Sequence, residues 1–147
     1  MTSNYDDEYV PSTTGWVREQ VEKVTEAGTT DAVDVLGMKV VLLTMRGAKS
    51  GKIRKVPVMR VEQDGVYAAV ASLGGAPKNP VWYYNLKADP KVTLQDGETT
   101  KEYVAREIDG AEYDEWWQRS VAAYPPYAEY QTKTTRKIPV FLLDPVK

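Results

Sequence analysis

Five cationic side chains, Arg46, Lys49, Lys52, Arg54 and Lys55, fall within the eleven residues RGAKSGKIRKV at positions 46–56 of a chain whose formal net charge is −2. Lys and Arg at this density can meet one of three anions: nucleotide phosphate in a P-loop, a nucleic-acid backbone, or the acidic tail of a soluble cofactor. A P-loop requires G-x-x-x-x-G-K-[ST] opening a helix, so that backbone N–H groups and the helix end cradle phosphate. Gly47-Ala48-Lys49-Ser50-Gly51-Lys52 is one residue short, Ile53 stands where the hydroxyl residue is needed, and both flanks are patterned as β-strand. Nucleic-acid binding needs basic charge over a wide face, whereas 21 Asp and Glu against 19 Lys and Arg leave no such surplus. A glycine-hinged, cation-rich hairpin can instead wrap a compact anionic group with its side chains and freed backbone amides, a nest rather than a helix terminus. On composition alone, a solvated basic turn without a ligand stays open.

The residues that are missing narrow the chemistry further. There is no cysteine and no histidine, which excludes disulfides, thiolate or imidazole metal ligands, a Ser-His-Asp triad and a histidine acid/base. Cysteine-free composition suits a reducing compartment. The acidic N-terminus MTSNYDDEYVPSTTG has no apolar h-region, and no stretch approaches the roughly eighteen apolar residues of a membrane span. A cytoplasmic location is therefore expected, with peripheral contact at the inner face of the cell membrane left open. Ten Tyr and four Trp against one Phe suit either rings with a polar handle at places packed on one side and wet on the other, or a core in which Tyr simply replaces Phe.

The elements that must position these groups follow from periodicity. With 147 residues, 42% apolar and 27% charged, the chain suits one soluble globule burying roughly two-thirds of its unfolded surface. Thr13 or Thr14 can cap a helix to Ala27 with Trp16 or Val17, Val21 and Val24 on one face, and Gly28 stops it. Its polar face is mixed in sign, which favours packing on the domain over a membrane surface. MKVVLLTM (38–45) reads as a buried strand. IRKVPVMRVEQ (53–63) follows as a second strand, with Ile53, Lys55 and Pro57 on one face and Arg54, Val56, Val58 and Arg60 on the other. Asp64-Gly65 turns it into VYAAVAS (66–72), and Pro57 points to a strand edge or bulge. LGGAPKNP (73–80) is a loop whose Asn79-Pro80 should cap and start the helix VWYYNLKA. KVTLQ (91–95) and TTKEYVAREI (99–108) are strands about Asp96-Gly97. Asp109 caps a helix with the stripe Tyr113, Trp116, Trp117 and Val121, and IPVFLL (138–143) is the last strand. About six strands with tight Asp-Gly turns cannot supply the crossovers of a parallel sheet. The expected fold is mainly β (α+β), a mostly antiparallel barrel with short flanking helices and an N-terminal helix. Residues 1–35 form an N-terminal segment and 36–147 the barrel.

Three segments, LLTMRGAKSGKIRKVPV, AVASLGGAPKNPVWYYNLKADPKVTLQ and YPPYAEYQTKTTRKIPVFLLDP, occur in this order and together resemble the deazaflavin-dependent nitroreductase family, split β-barrel enzymes that use coenzyme F420. The resemblance spans most of residues 36–145. It implies that Lys49 and Ser50, with Arg54, Lys55, Val56, Pro57 and Val58, hold the phosphate and polyglutamate tail of an 8-hydroxy-5-deazaflavin. Ala71, Ser72, Gly74 and Gly75, with Lys78 nearby, would border the ring, and Trp82, Tyr83 and Asn85 would close that side. Tyr124, Tyr127 and Tyr130 would stand over the substrate pocket with Met59. Arg suits such a tail because it grips oxygens bidentately, and Lys adds point charge. Gly74-Gly75 would clear side chains from the backbone under a flat ring.

The implied reaction passes a hydride from reduced deazaflavin to a quinone, nitroaromatic or unsaturated lactone, with Tyr127, Tyr130, the Ser72 hydroxyl or solvent supplying a proton. The cofactor carries the hard chemistry, so the missing His and Cys are no obstacle. A non-catalytic F420 carrier and an FMN-dependent oxidoreductase on the same barrel are the alternatives. Three positions depart from the family pattern: Ala48 where relatives often carry Arg, Met59 where a pocket Tyr occurs, and Leu73 where a Lys can meet the cofactor. Met59 would make the pocket wall adaptable and apolar.

Overall fold

The computed structural model describes residues 9–146, so the expectations for residues 1–8 lie outside the described residues. Helix α1 (Gly15–Ala27) buries Val21 and Val24 on Leu42, with Val17 partly buried beside them. Trp16 is exposed, which settles the choice between Trp16 and Val17. Gly28, at φ 76°, ends the helix by donating its N–H to Val24 O at 2.8 Å. The Thr14 hydroxyl makes no capping bond, although Thr14 is the N-cap residue.

Seven strands follow: β1 (Val40–Arg46), β2 (Ile53–Met59), β3 (Glu62–Gln63), β4 (Val66–Val70), β5 (Lys91–Asp96), β6 (Thr99–Glu107) and β7 (Val140–Pro145). The expected second strand, 53–63, is thus two. Its first part pairs with β1 in the register Val40↔Met59 to Arg46↔Ile53, and its last two residues pair with β4 across Asp64-Gly65. Between them, the Arg60 N–H turns to Lys39 O and Val61 O accepts from Ala68 N. Asp64 and Gly65 both have positive φ, 53° and 84°, as a two-residue hairpin turn that follows the strand twist requires.

All neighbours in the sheet are antiparallel, in the order β2-β1-β5-β6-β7-β4-β3. The two ends of that order, β2 and β3, are joined by only Arg60 and Val61. A sheet whose outermost strands are chain neighbours must curl on itself, and the result is a split β-barrel. Pro57, which has no ladder donor to give, lies on the outermost strand β2, as expected.

Alternation along the strands sorts side chains into two cores. Val41, Leu43, Met45, Val58, Ala69, Val92, Leu94, Ala105, Phe141 and Leu143 fill the barrel, and Leu86 of α2 (Val81–Ala88) plugs it with Trp82 and Tyr83 alongside. Val40, Met59, Ala68, Val70, Val140 and Leu142 point outward under α3 (Gly110–Ala123) and α4 (Pro126–Thr132), whose Tyr113, Trp116 and Tyr127 cover them. Each fully buried aliphatic or aromatic side chain contributes roughly 1.5–3 kcal/mol. Two expected caps are different in detail. Pro80, not Asn79, is the N-cap position of α2, and Asp109 sits at the N-cap of α3 without a side-chain capping bond.

At one end of the barrel Asp96 ties three strands together. Its Oδ2 accepts from Arg60 Nε at 2.8 Å and from Tyr67 Oη at 2.5 Å. The β2–β3 link and β4 are therefore held to the end of β5 by one carboxylate.

Candidate functional site

The basic loop between β1 and β2 is built by its own backbone. Gly47 N–H donates to Lys52 O at 2.8 Å, Gly51 N–H to Gly47 O at 2.9 Å, and Arg46 Nη1 to Gly51 O at 2.8 Å. Ser50 Oγ accepts from Lys52 N at 3.1 Å, so this hydroxyl shapes the loop as well as lying exposed on it. Alternation on β2 separates the expected tail ligands. Arg54 pairs with Met45 on the row that continues through Val56 and Val58 into the barrel, whereas Lys55 pairs with Thr44 on the α1 side. The Lys55 ammonium lies 5.1 Å from the centre of the Tyr9 ring. Lys49 and Arg54 form no salt bridge among the described residues.

Asn85 fixes this loop to helix α2. It is buried, and its Oδ1 accepts the Ala48 N–H at 2.9 Å. On the same helix Trp82 and Tyr83 pack on Phe141, with ring centres at 6.2 and 5.5 Å. Tyr83 Oη donates to Glu107 at 3.1 Å, and burial together with this carboxylate raises the phenol above its ordinary pKa. Its hydroxyl is thus engaged on the strand β6 side.

A shelf follows β4. Ser72 is right-handed, and then Leu73, Gly74 and Gly75 have φ of 45°, 64° and 86°. The two glycines do different things. A Cβ on Gly74 would meet nothing within 4 Å, so the space over it is open. A Cβ on Gly75 would lie 2.7 Å from Tyr130 O and 3.0 Å from Lys133 Cβ, so Gly75 lets α4 pack against the shelf. The backbone is thus open at Gly74 and covered by α4 at Gly75. Lys78 is exposed beyond the shelf.

The three tyrosines come together across the junction of α3 and α4. Tyr124 is the C-cap residue of α3, Tyr127 and Tyr130 are on α4, and ring centres are 4.9 to 6.2 Å apart. Tyr124 and Tyr130 hydroxyls are hydrogen-bonded at 3.2 Å. Burial, and then this bond, push the Tyr124 phenol up to about 12, and burial raises Tyr127 further still. Met59 is buried in the cluster beneath these rings.

Arg136 is the residue that sequence reasoning missed. It lies within the third quoted segment, yet no role attached to it. Its Nε donates to Ala76 O at 3.0 Å, Nη1 to Ala71 O at 3.1 Å and to Asn79 Oδ1 at 2.8 Å, and Nη2 to Ser72 O at 2.8 Å. Asn79 is thus an acceptor for Arg136 rather than a helix cap. An arginine without a nearby acid in TKTTRK was the available signal.

A sequence model of the F420H2-dependent quinone reductase family matches residues 16–145. The chain belongs to that family. An F420H2-dependent quinone reductase of Mycobacterium tuberculosis is 34% identical over 105 residues, covering 69% of this chain and 70% of that protein. The solved structure of an F420-H2 dependent reductase, FDR-A, is 57% identical and has a TM-score of 0.70, covering 76% of this chain and 99% of its own. Another solved structure, a domain-swapped dimer, is 58% identical with a TM-score of 0.72 and covers 90% of this chain and all, 100%, of its own. The expected family is therefore borne out, under its quinone-reductase name. As a member of this family the chain is an F420H2-dependent oxidoreductase, with coenzyme F420 as its cofactor. No helix among the described residues is long and apolar enough to cross a membrane.

Proposed function

We propose that this reductase transfers a hydride from bound F420H2 to an electron-poor acceptor, a quinone, nitroaromatic or unsaturated lactone, held against Tyr124, Tyr127 and Tyr130. The observation that carries the reading is a pair of cations without carboxylate partners among the described residues, Lys49 on the loop that Asn85 ties to α2 and Arg54 on β2 beside it. Cations left unneutralised suit a multiply anionic tail, because no internal pair must be broken to bind it. The open space over Gly74 suits a flat ring, since no side chain stands in the way. Lys49, Ser50 and Arg54 would hold the tail, with Val56, Pro57 and Val58 as the strand that presents them. Lys55, on the other face of β2, would add only to the field. Ala71, Ser72 and Gly74 would border the ring, with Lys78 at the outer rim. Trp82 and Tyr83 would wall the barrel side.

Burial disfavours the phenolates of Tyr124 and Tyr127, so both phenols stay neutral over the physiological range. Neutral phenols can donate hydrogen bonds to an acceptor oxygen as it gains electron density, and such fixed donors stabilise developing charge. Tyr130, whose hydroxyl already shares a hydrogen bond with Tyr124, is the proposed donor, with the Ser72 hydroxyl and solvent as the other proton sources. The proposal includes the domain layout, an N-terminal segment 1–35 on a coenzyme-binding barrel 36–147. It also includes a cytoplasmic setting, which suits a chain without cysteine.

Purified protein should oxidise F420H2 when menadione is added, followed by the coenzyme's absorbance. Absence of turnover with a panel of quinones, nitroaromatics and enones, despite saturable coenzyme binding, would leave a carrier and overturn the proposed reaction. A parallel titration should show F420 binding more tightly than FMN; the reverse order would overturn the assignment of the site.

A further inference from the structure

We infer that Arg136 is the positioning residue of this site: its guanidinium locks the Ala71–Asn79 loop in the shape that receives the coenzyme ring and couples that loop to the tyrosine helix. The inference rests on the reading of the shelf given under Proposed function.

Four of the five N–H groups of Arg136 are spent on one loop, on the carbonyls of Ala71, Ser72 and Ala76 and the carboxamide of Asn79. The Ser72 carbonyl also accepts the Gly75 N–H at 2.9 Å, so the guanidinium grips the very group that closes the turn. That turn needs holding. Leu73 is left-handed at φ 45° without being glycine, and its side chain is exposed, so its own packing does not repay the strain. Such backbone persists only where its surroundings over-determine it, and Arg136 supplies the surroundings. On the other side, Gln131 of α4 holds the main chain of Arg136. Its Nε2 donates to Arg136 O at 2.8 Å and its Oε1 accepts from Ile138 N at 3.0 Å. Gly75 adds its close approach to Tyr130 O. Shelf, Arg136 and tyrosine helix are therefore a single hydrogen-bonded unit.

No carboxylate partners Arg136 among the described residues. Arg60, Arg106 and Arg119, by contrast, each meet an acid. Carbonyl acceptors leave the positive charge in place, while the planar fork fixes three backbone oxygens at once. A lysine keeps the charge but, with all its donors on one atom, cannot span them.

The test compares wild type with Arg136→Lys and Arg136→Gln, first without coenzyme. Amides of residues 71–79 should exchange with deuterium about tenfold faster in both variants, the scale of one lost charge-assisted contact, while β1, β5 and β6 keep their protection. F420 affinity should fall about tenfold in both, and kcat should drop with KM for menadione unchanged. Wild-type exchange of the loop in both variants would overturn the inference. So would a loosened loop with wild-type coenzyme affinity and kcat, or full rescue by lysine. Should neither variant fold, Gln131→Ala must speed the same amides by about threefold, and unchanged exchange there would overturn the inference too. Failure of the wild-type protein to bind F420 would instead sink the site assignment, with the exchange results still deciding what Arg136 holds.

Discussion

Two arginines meet their needs in opposite ways. Arg60, at the Asp96 end of the barrel, faces a carboxylate at 2.8 Å and lies 5.8 Å from the centre of the Tyr67 ring. Arg136, beneath the shelf, faces carbonyls and a carboxamide. Burial works against the charge of both, but the Asp96 contact raises Arg60 above the ordinary arginine pKa, whereas burial lowers Arg136. A cation answered by an acid contributes cohesion and little external field. One answered by neutral oxygens shapes the backbone and keeps its field, which suits the electron-rich coenzyme proposed for this site. The barrel thus separates a region that closes the sheet from the region proposed to receive the ligand.

That division predicts different consequences for similar changes. The largest effect is expected at Gly75→Ala, where the new Cβ meets Tyr130 O and the φ of 86° strains it as well; stability should fall by about 3 kcal/mol or more, read from urea unfolding. Gly74→Ala should cost only about 1 kcal/mol, the strain of a left-handed alanine in open space. Equal losses at the two glycines would break the assignment of packing to one and openness to the other.

Asp96→Ala removes the shared acceptor of Arg60 and Tyr67. Because Arg60 is partly exposed, the expected loss is about 2 kcal/mol, or roughly 5 °C in Tm, with F420 affinity unchanged. Altered coenzyme binding in this variant would join the two regions that the comparison separates. Lys49→Ala and Arg54→Ala should do the converse, each weakening F420 binding by about 1–3 kcal/mol in a titration while Tm holds.

The smallest effect concerns pH. Free tyrosine titrates near 10, and burial pushes Tyr124 and Tyr113 up to about 12. A raised folded pKa adds stability that is complete below the unfolded value and fades as pH climbs through the folded one. Resistance to urea should therefore be flat to about pH 10 and decline toward 12. Phenolate absorbance rising fully by pH 10 in the folded protein would contradict the burial of Tyr113 and Tyr124.

Much of this fold is legible in the sequence because it is local. Alternation marks the strands, and Asp64-Gly65 marks a hairpin turn with both residues left-handed. The division of 53–63 is not legible, since VPVMRVEQ is patterned as one strand and only the partners, β1 for one part and β4 for the other, reveal the break. The site divides along the same line. Cations and tyrosines carry their chemistry in their side chains, and glycine acts by having none, so these residues are visible by type and spacing. Arg136 acts on acceptors 57 to 65 positions away, most of them main-chain carbonyls that any residue offers. The tether that Asn85 makes is equally hidden, because the amide it holds lies 37 positions away.

The position of β7 between β6 and β4 has a consequence for biosynthesis. Of the described strands it is the last to leave the ribosome, yet it is the seam along which two earlier parts of the sheet are joined. Until it emerges, β4 and β6 each present an unpaired border, and open strand borders invite association between chains. A chain in which β4 and β6 still lack β7 is thus the form of this reductase most open to pairing with a neighbour.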